Sequence, residues 1–255
     1  MGTSVTPVFQ ALRGVLNGRP FGIASVTEFG AVNDGIVDST AAFNAALSSS
    51  ATLIVVPPGF YLITGPLIIP ANTGKMLLGL GGAKSVTLSV FMAAGNASRG
   101  VIEYLPSGQP NFAGCVLENL RIIGNNSVCH GVYLKDVSYP IISNVIIEGF
   151  DGAGLLLDKC QDGSCNNLAV VDCGRTAGNP SNNADTLYSG LHLITTIVDD
   201  HNNMLRFNDC QFENNRVLAL RLDQRHGTHR NLVQSNPRGK CYRPWSAGLR
   251  ACGGW

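Results

Sequence analysis

The sequence predicts an all-β chain wound as a parallel β-helix, a solenoid of short strands with one short helix near its N-terminal end. Three observations predict it. Only 14% of the 255 residues are charged, while 45% are hydrophobic and 30 are glycine, a balance that favours short apolar strands and tight turns over long surface helices. The apolar runs are short, and turn residues close each one: Leu53 to Val56 before Pro57-Pro58-Gly59, Tyr61 to Thr64 before Gly65-Pro66, and Leu67 to Ile69 before Pro70. From residue 119 one pattern recurs, with segments opened by Asn119, Asn144, Asn167 and Asp209, which lie 25, 23 and 42 residues apart. A single coil cannot bury its apolar face alone, so a period in the low twenties points to stacked coils.

The elements follow in order. Residues 1–23 are a lead-in, residues 24–222 the solenoid, and residues 223–255 a basic, irregular tail. Between residues 39 and 48, Ala42, Phe43, Ala46 and Leu47 fall on one helical face, and Asp38 or Ser39 stands where an N-cap accepts the first free amide hydrogens. In the repeats, each opening strand is followed by a second apolar segment: Gly131 to Leu134, Gly154 to Leu157, Gly190 to Leu193 and Val217 to Leu220. The third repeat carries the longest insertion, Gly174 to Ser189, and insertions in solenoids gather on one face, often the binding face. Asn119, Asn144 and Asn167 are expected to stack as a ladder of side-chain amides, with Cys173 and Cys210 packed near coil corners.

Charge is uneven. Residues 221–255 hold 7 Lys and Arg against 1 Asp, whereas the preceding residues hold 11 against 16 acids. The tail lacks the aromatic and basic interleaving of a nucleic-acid arm, so a nucleic-acid partner is not expected. No stretch is long and apolar enough for a membrane span, and the first residues lack the apolar core of a signal peptide. Of the eight cysteines none forms a C-x-x-C pair, so a zinc site is not expected and the thiols are read as mostly unpaired.

The run Val26-Thr27-Glu28-Phe29-Gly30-Ala31-Val32-Asn33-Asp34-Gly35, continued by Asp38-Ser39-Thr40-Ala41-Ala42, resembles the opening signature of the pectate-lyase-like superfamily. Val56-Pro57-Pro58-Gly59-Phe60-Tyr61 and Leu78-Gly79-Leu80-Gly81 extend the resemblance to residue 82. It implies a right-handed parallel β-helix whose helix covers the open N-terminal edge. Bacteriophage tailspikes and secreted carbohydrate enzymes share that signature. The resemblance therefore implies a polysaccharide partner, glycoside hydrolase or polysaccharide lyase activity, a virion tail location (or the cytoplasm before assembly), and a homotrimer as one candidate assembly. The fold also carries plain adhesive fibres, so a non-catalytic binding domain is the alternative.

Glycoside cleavage needs two carboxylates flanking one bond, and stacked coils repeat at about 4.8 Å, so acids at equivalent coil positions fall within reach of each other. Glu148 and Glu213 hold equivalent positions, Asp172 stands one step further along on the coil between them, and the long insertion begins just beyond. These three are the expected catalytic acids, with Asp199 and Asp200 as a second pair. Tyr188, His192, Arg175 and Arg216 are the expected substrate contacts: Tyr188 for stacking on a sugar ring, as Tyr133 also could, and His192 because it alternates with Leu191 and Leu193 and should face outward. Arg175, Arg206 and Arg216 are the cations a lyase would need for developing charge. No metal or cofactor is expected, except Ca²⁺ if the reaction is an elimination.

Overall fold

The computed structural model describes residues 22–82, 84–92, 99–104, 114–174, 190–194, 204–215, 220–223 and 234–235. Among them, every strand pairing is parallel, and the strands stack into three sheets of eight, seven and six strands. The chain visits the sheets in rotation. Coil four runs Val116–Glu118 in sheet A, Arg121–Ile123 in sheet B and His130–Lys135 in sheet C. Coil five repeats this as Ile141–Ser143, Ile146–Glu148 and Leu155–Asp158, coil six as Ser164–Asn166, Ala169–Val171 and Leu191–Ile194, and coil seven as Arg206–Asn208, Gln211–Glu213 and Leu220–Asp223. The fold is a right-handed parallel β-helix.

The strands are short because each needs only one or two inward residues. In sheet B, Leu88, Ile122, Ile147, Val170 and Phe212 stand in register along the interior. In sheet C, Ile102, Val132, Leu155 and Leu191 do the same. Nearly all of these are fully buried, with Phe212 partly so. Each such aliphatic side chain stabilises the fold by about 1.5–3 kcal/mol, so stacking rather than any single coil supplies the stability.

The turn from sheet A to sheet B is the regular corner. Asn119, Asn144, Asn167 and Asp209 all take left-handed backbone angles there, with φ of 56, 53, 50 and 51°, a conformation that Asn and Asp tolerate better than other side chains. The expected ladder forms: the Asn144 amide donates to Asn119 Oδ1 at 3.2 Å and the Asn167 amide to Asn144 Oδ1 at 2.8 Å. Cys210 is buried just after the Asp209 corner, in the place held by Leu120, Val145 and Leu168, and Cys173 is buried after the Asp172 turn.

At the N-terminal end, the first coil has strands Ile23–Ser25 and Asp34–Asp38 in sheets A and B, but in place of a sheet C strand it has the helix Thr40–Ser48. Asp38 rather than Ser39 accepts the Thr40 amide, at 3.0 Å, while the Ser39 hydroxyl is tied to the Val32 backbone. Phe43, Ala46 and Leu47 are buried, and Phe43 meets Tyr61 edge-on with ring centres 5.3 Å apart. The helix also closes the free edge of sheet C. Asn44 accepts from the Ile68 amide and donates to the Pro66 carbonyl, both at 2.8 Å, so one side chain satisfies an edge amide of strand Leu67–Ile69 and the carbonyl just before it. Lys75, also buried, donates to the Ser49 and Ala51 carbonyls behind the helix.

Two readings of the repeat change. Each coil has a third strand, in sheet A, that the two-segment pattern omits. In the fourth repeat Leu220, not Leu218, stands opposite Leu191; a shift of two keeps the same face inward, so hydrophobicity alone does not distinguish the registers. Strand Gln234–Ser235 pairs with Arg206–Phe207, so an eighth coil opens within the segment read as tail. Among the described residues no helix is long and apolar enough to cross a membrane.

Candidate active site

The outward positions of sheet B form two columns. One runs Thr87, Arg121, Ile146, Ala169, Gln211 and the other Ser89, Ile123, Glu148, Val171, Glu213. Coil six therefore presents only Ala169 and Val171, a low apolar step. On one side of it coil five raises Glu148, and on the other coil seven raises Gln211 and Glu213. A depression of about 340 Å³ lies here, with Ile146, Ala169 and Val171 as floor and Lys84, Arg121, Asn144, Glu148, Asn167 and Gln211 around it. An apolar floor rimmed by amides and charges suits a sugar ring, which offers an apolar face and a ring of hydroxyls.

Glu148 and Glu213 are in one column with Val171 between them. Two strand steps separate their backbones by about 9.6 Å. Asp172 is not in the column: it follows Val171 in a left-handed turn with φ 52°, and its amide donates to the Glu213 carbonyl at 3.0 Å. Of the three predicted acids Glu148 lines the depression, Glu213 stands in the same column on the far side of Val171, and Asp172 follows Val171 at the turn.

Glu148 has a partner that the sequence reading overlooked. Arg121 Nη2 reaches Glu148 Oε1 at 2.5 Å across adjacent coils, both side chains being about a quarter to a third exposed. The Arg121 Nε is buried, with no acceptor among the described residues. Only pairing in three dimensions brings these residues together; the available signal was that Arg121 and Ile146 occupy the same place in successive Asn-led segments, which puts Arg121 diagonal to Glu148.

His192 does not join this site. It lies on sheet C, in register with Leu156, and is buried rather than surface-facing. Beside it sheet C carries further buried polar groups. His130 accepts a hydrogen bond from the Ala153 amide at 2.9 Å, and its pKa is pushed down to about 3 by burial and by His192. Tyr133 bonds to the buried Asp158, which also faces Lys135 at 3.4 Å. Glu103, fully buried, is clamped by two Arg99 nitrogens and by the Gly100 amide. Tyr133, named as a possible stacking residue, is thus tied to Asp158, and His130, Asp158 and Glu103 were missed because burial of an outward sheet face cannot be read from alternation. Arg206 is exposed on sheet A, away from the notch. Arg175, Tyr188, Arg216, Asp199 and Asp200, with the insertion beyond Gly174, lie outside the described residues. Among the described residues no group of three or more His, Cys, Asp and Glu is arranged to hold a metal ion.

Residues 23–243 match the family described as rhamnogalacturonase A/epimerase, pectate lyase-like. The chain belongs to that family. Solved structures with the pectate lyase-like fold of this chain include ORF18 of Geobacillus virus E2 (TM-score 0.69, 22% identity, covering 92% of this chain and 44% of that one). Tailspike protein 3 of bacteriophage CBA120 superposes with TM-score 0.55 at 14% identity, over 87% of this chain and 35% of the tailspike. The surface protein and adhesin PfbA of Streptococcus pneumoniae gives TM-score 0.56 at 14% identity, over 74% of this chain and 53% of PfbA. At these identities the likeness is one of fold. The chain spans less than half the length of the first two. No curated protein matches the sequence.

Proposed function

We propose that this pectate lyase-like chain binds a bacterial surface polysaccharide and cleaves it by hydrolysis in the notch of sheet B, as part of a phage tail. The observation that carries the reading is the apolar step of Ala169 and Val171 held between Glu148 and Glu213. The family description and the tailspike among the structural neighbours support the substrate class and the location.

A sugar ring seated on the step has one carboxyl group on each side. The backbone spacing of about 9.6 Å lies at the upper edge of the carboxyl separation of roughly 6.5–9.5 Å that leaves room for a water molecule and gives inversion. One acid then takes a proton from water as its oxygen bonds to the anomeric carbon. The other gives a proton to the departing glycosidic oxygen as that bond breaks. Asp172 orients the ring from the end of the notch, and assembly as a homotrimer belongs to the same proposal.

The test is release of reducing ends from purified capsular polysaccharides and lipopolysaccharides, with Glu148→Gln and Glu213→Gln as controls. Each substitution should lower the rate by about 10²–10⁴-fold. Retention of a tenth of the rate by both variants would overturn the assignment. Light scattering of the full chain tests the trimer.

The second reading is a binding fibre without catalysis. It is favoured by the ion pair between Glu148 and Arg121, which gives that acid a structural partner. Glycan binding without any new reducing ends or unsaturated products would establish it.

A further inference from the structure

The two acids of the notch are not equivalent. Among the described residues Glu148 is held by Arg121 through Oε1, at 2.5 Å, with no bond to Oε2. Glu213 has no ion pair among the described residues. In a two-carboxylate hydrolysis the base begins as an anion and the acid begins protonated, so environments that differ in this way divide the labour.

We infer that Arg121 is a positioning residue that fixes the roles: Glu148 is the base that draws the proton from water through Oε2, and Glu213 is the acid that protonates the leaving oxygen. This rests on cleavage in the notch as proposed above. The geometry supports it in three ways. Arg121 stands at the first outward position of coil four and Glu148 at the second outward position of coil five, so the pair runs diagonally and pins the carboxylate in the groove. The Arg121 Nε is buried, which limits how far the guanidinium can swing before substrate arrives. In the column Glu148 is flanked by the uncharged Ile123 and Val171. Lys84 lines the same groove, and Asp172 and the buried Cys173 thiol follow Val171 at the turn. Glu213 faces Val171 in the column and the Asp172 turn, with Gln211 beside it on the strand.

The experiment is the pH dependence of kcat and KM on the capsular polysaccharide or lipopolysaccharide that the wild-type chain cleaves. Arg121→Gln should lower kcat by about 10- to 100-fold through loss of alignment, leave KM within about twofold, and move the acid limb of the profile to higher pH. Arg121→Lys, which keeps the charge without the planar fork, should keep the acid limb near its wild-type position. Glu213→Gln should remove the alkaline limb. A merely structural role would lower the melting temperature of Arg121→Gln and leave the acid limb in place. That result overturns the inference, as does movement of the alkaline limb, which reverses the roles. If Glu148→Gln and Glu213→Gln abolish cleavage while Arg121→Gln keeps a wild-type profile, only the inference fails. If the wild-type chain cleaves nothing, the cleavage reading fails and the inference with it.

Discussion

Replacing Ile147 by Ala tests whether the interior columns hold the coils together. Ile147 is fully buried, in register with Ile122 on one side and Val170 on the other. Gly131 lies so close that a Cβ placed on it would stand 2.4 Å from an Ile147 methyl group. The substitution removes three carbons, a transfer loss of about 2.4 kcal/mol at about 0.8 kcal/mol per methylene. The space left behind adds to this. Neighbouring coils are fixed at the strand spacing by backbone hydrogen bonds, so the walls collapse little, and the total should fall near 3–4 kcal/mol within the usual range of roughly 2–5. Ile147→Val should cost about 0.5–1.5 kcal/mol. Urea unfolding of the full chain, followed by circular dichroism with the slope compared between variants, measures both. A loss below about 1 kcal/mol for Ile147→Ala, with an unchanged slope, would show that the column does not carry the stability assigned to it.

The remaining expectations concern the corner, the thiols and the buried histidine. Asn144→Ala removes two ladder bonds, each contributing about 0.5–1.5 kcal/mol, and places alanine at φ 53°; it should destabilise by about 2–4 kcal/mol in the same urea assay, and a loss under 0.5 would refute the ladder's role. The six described cysteines are buried, with no disulfide among the described residues, so they should react with a thiol reagent only after unfolding; fast native labelling of Cys115, Cys129, Cys160, Cys165, Cys173 or Cys210, mapped by mass spectrometry, would contradict the packing. Burial pushes the Cys115, Cys129 and Cys173 thiols up to about 12 from 9.0. The unfolded chain therefore loses these protons first, and their contribution is intact below about pH 9 and lost as pH rises towards 12; replacing all three by alanine should flatten the alkaline fall in stability. For His130, whose pKa is lowered from 6.5 to about 3, the unfolded state binds the proton first. Stability falls as pH drops from 6.5 towards 3, by at most about 1.4 kcal/mol per pH unit, and His130→Asn should remove that part of the acid slope.

What could be read from the sequence depended on periodicity. The Asn-led segments each mark a whole coil, because the corner they form requires a left-handed backbone and two residues, and that requirement leaves a spelling. The helix was legible for the same reason, through its apolar face and Asp38. Strands such as Ser164–Asn166 and Arg206–Asn208 were not, since each buries a single residue, Cys165 or Phe207, and alternation over three residues is no signal. Among the site residues, Glu148 and Glu213 could be aligned by counting from the preceding Asn or Asp. The same count puts Arg121 diagonal to Glu148 but does not show that their side chains meet, and the burial of His192 has no such signal, because it depends on neighbours far away in sequence.

The corner between sheets A and B has a consequence for how such a chain can change. From Val116–Glu118 to Arg121–Ile123, and in each coil through the seventh, that corner spends two residues: Asn119 and Leu120, Asn144 and Val145, Asn167 and Leu168, Asp209 and Cys210. The passage from sheet B to sheet C has no such constancy, running from Glu148 to Leu155 in coil five and from Val171 to Leu191 in coil six. One edge of the solenoid acts as a spine that sets pitch, and the opposite edges act as a margin where new sequence can be written. A segment grafted between Gly174 and Gly190 should leave the register of every strand intact, while one added residue beside Asn144 would turn a column of buried side chains towards water.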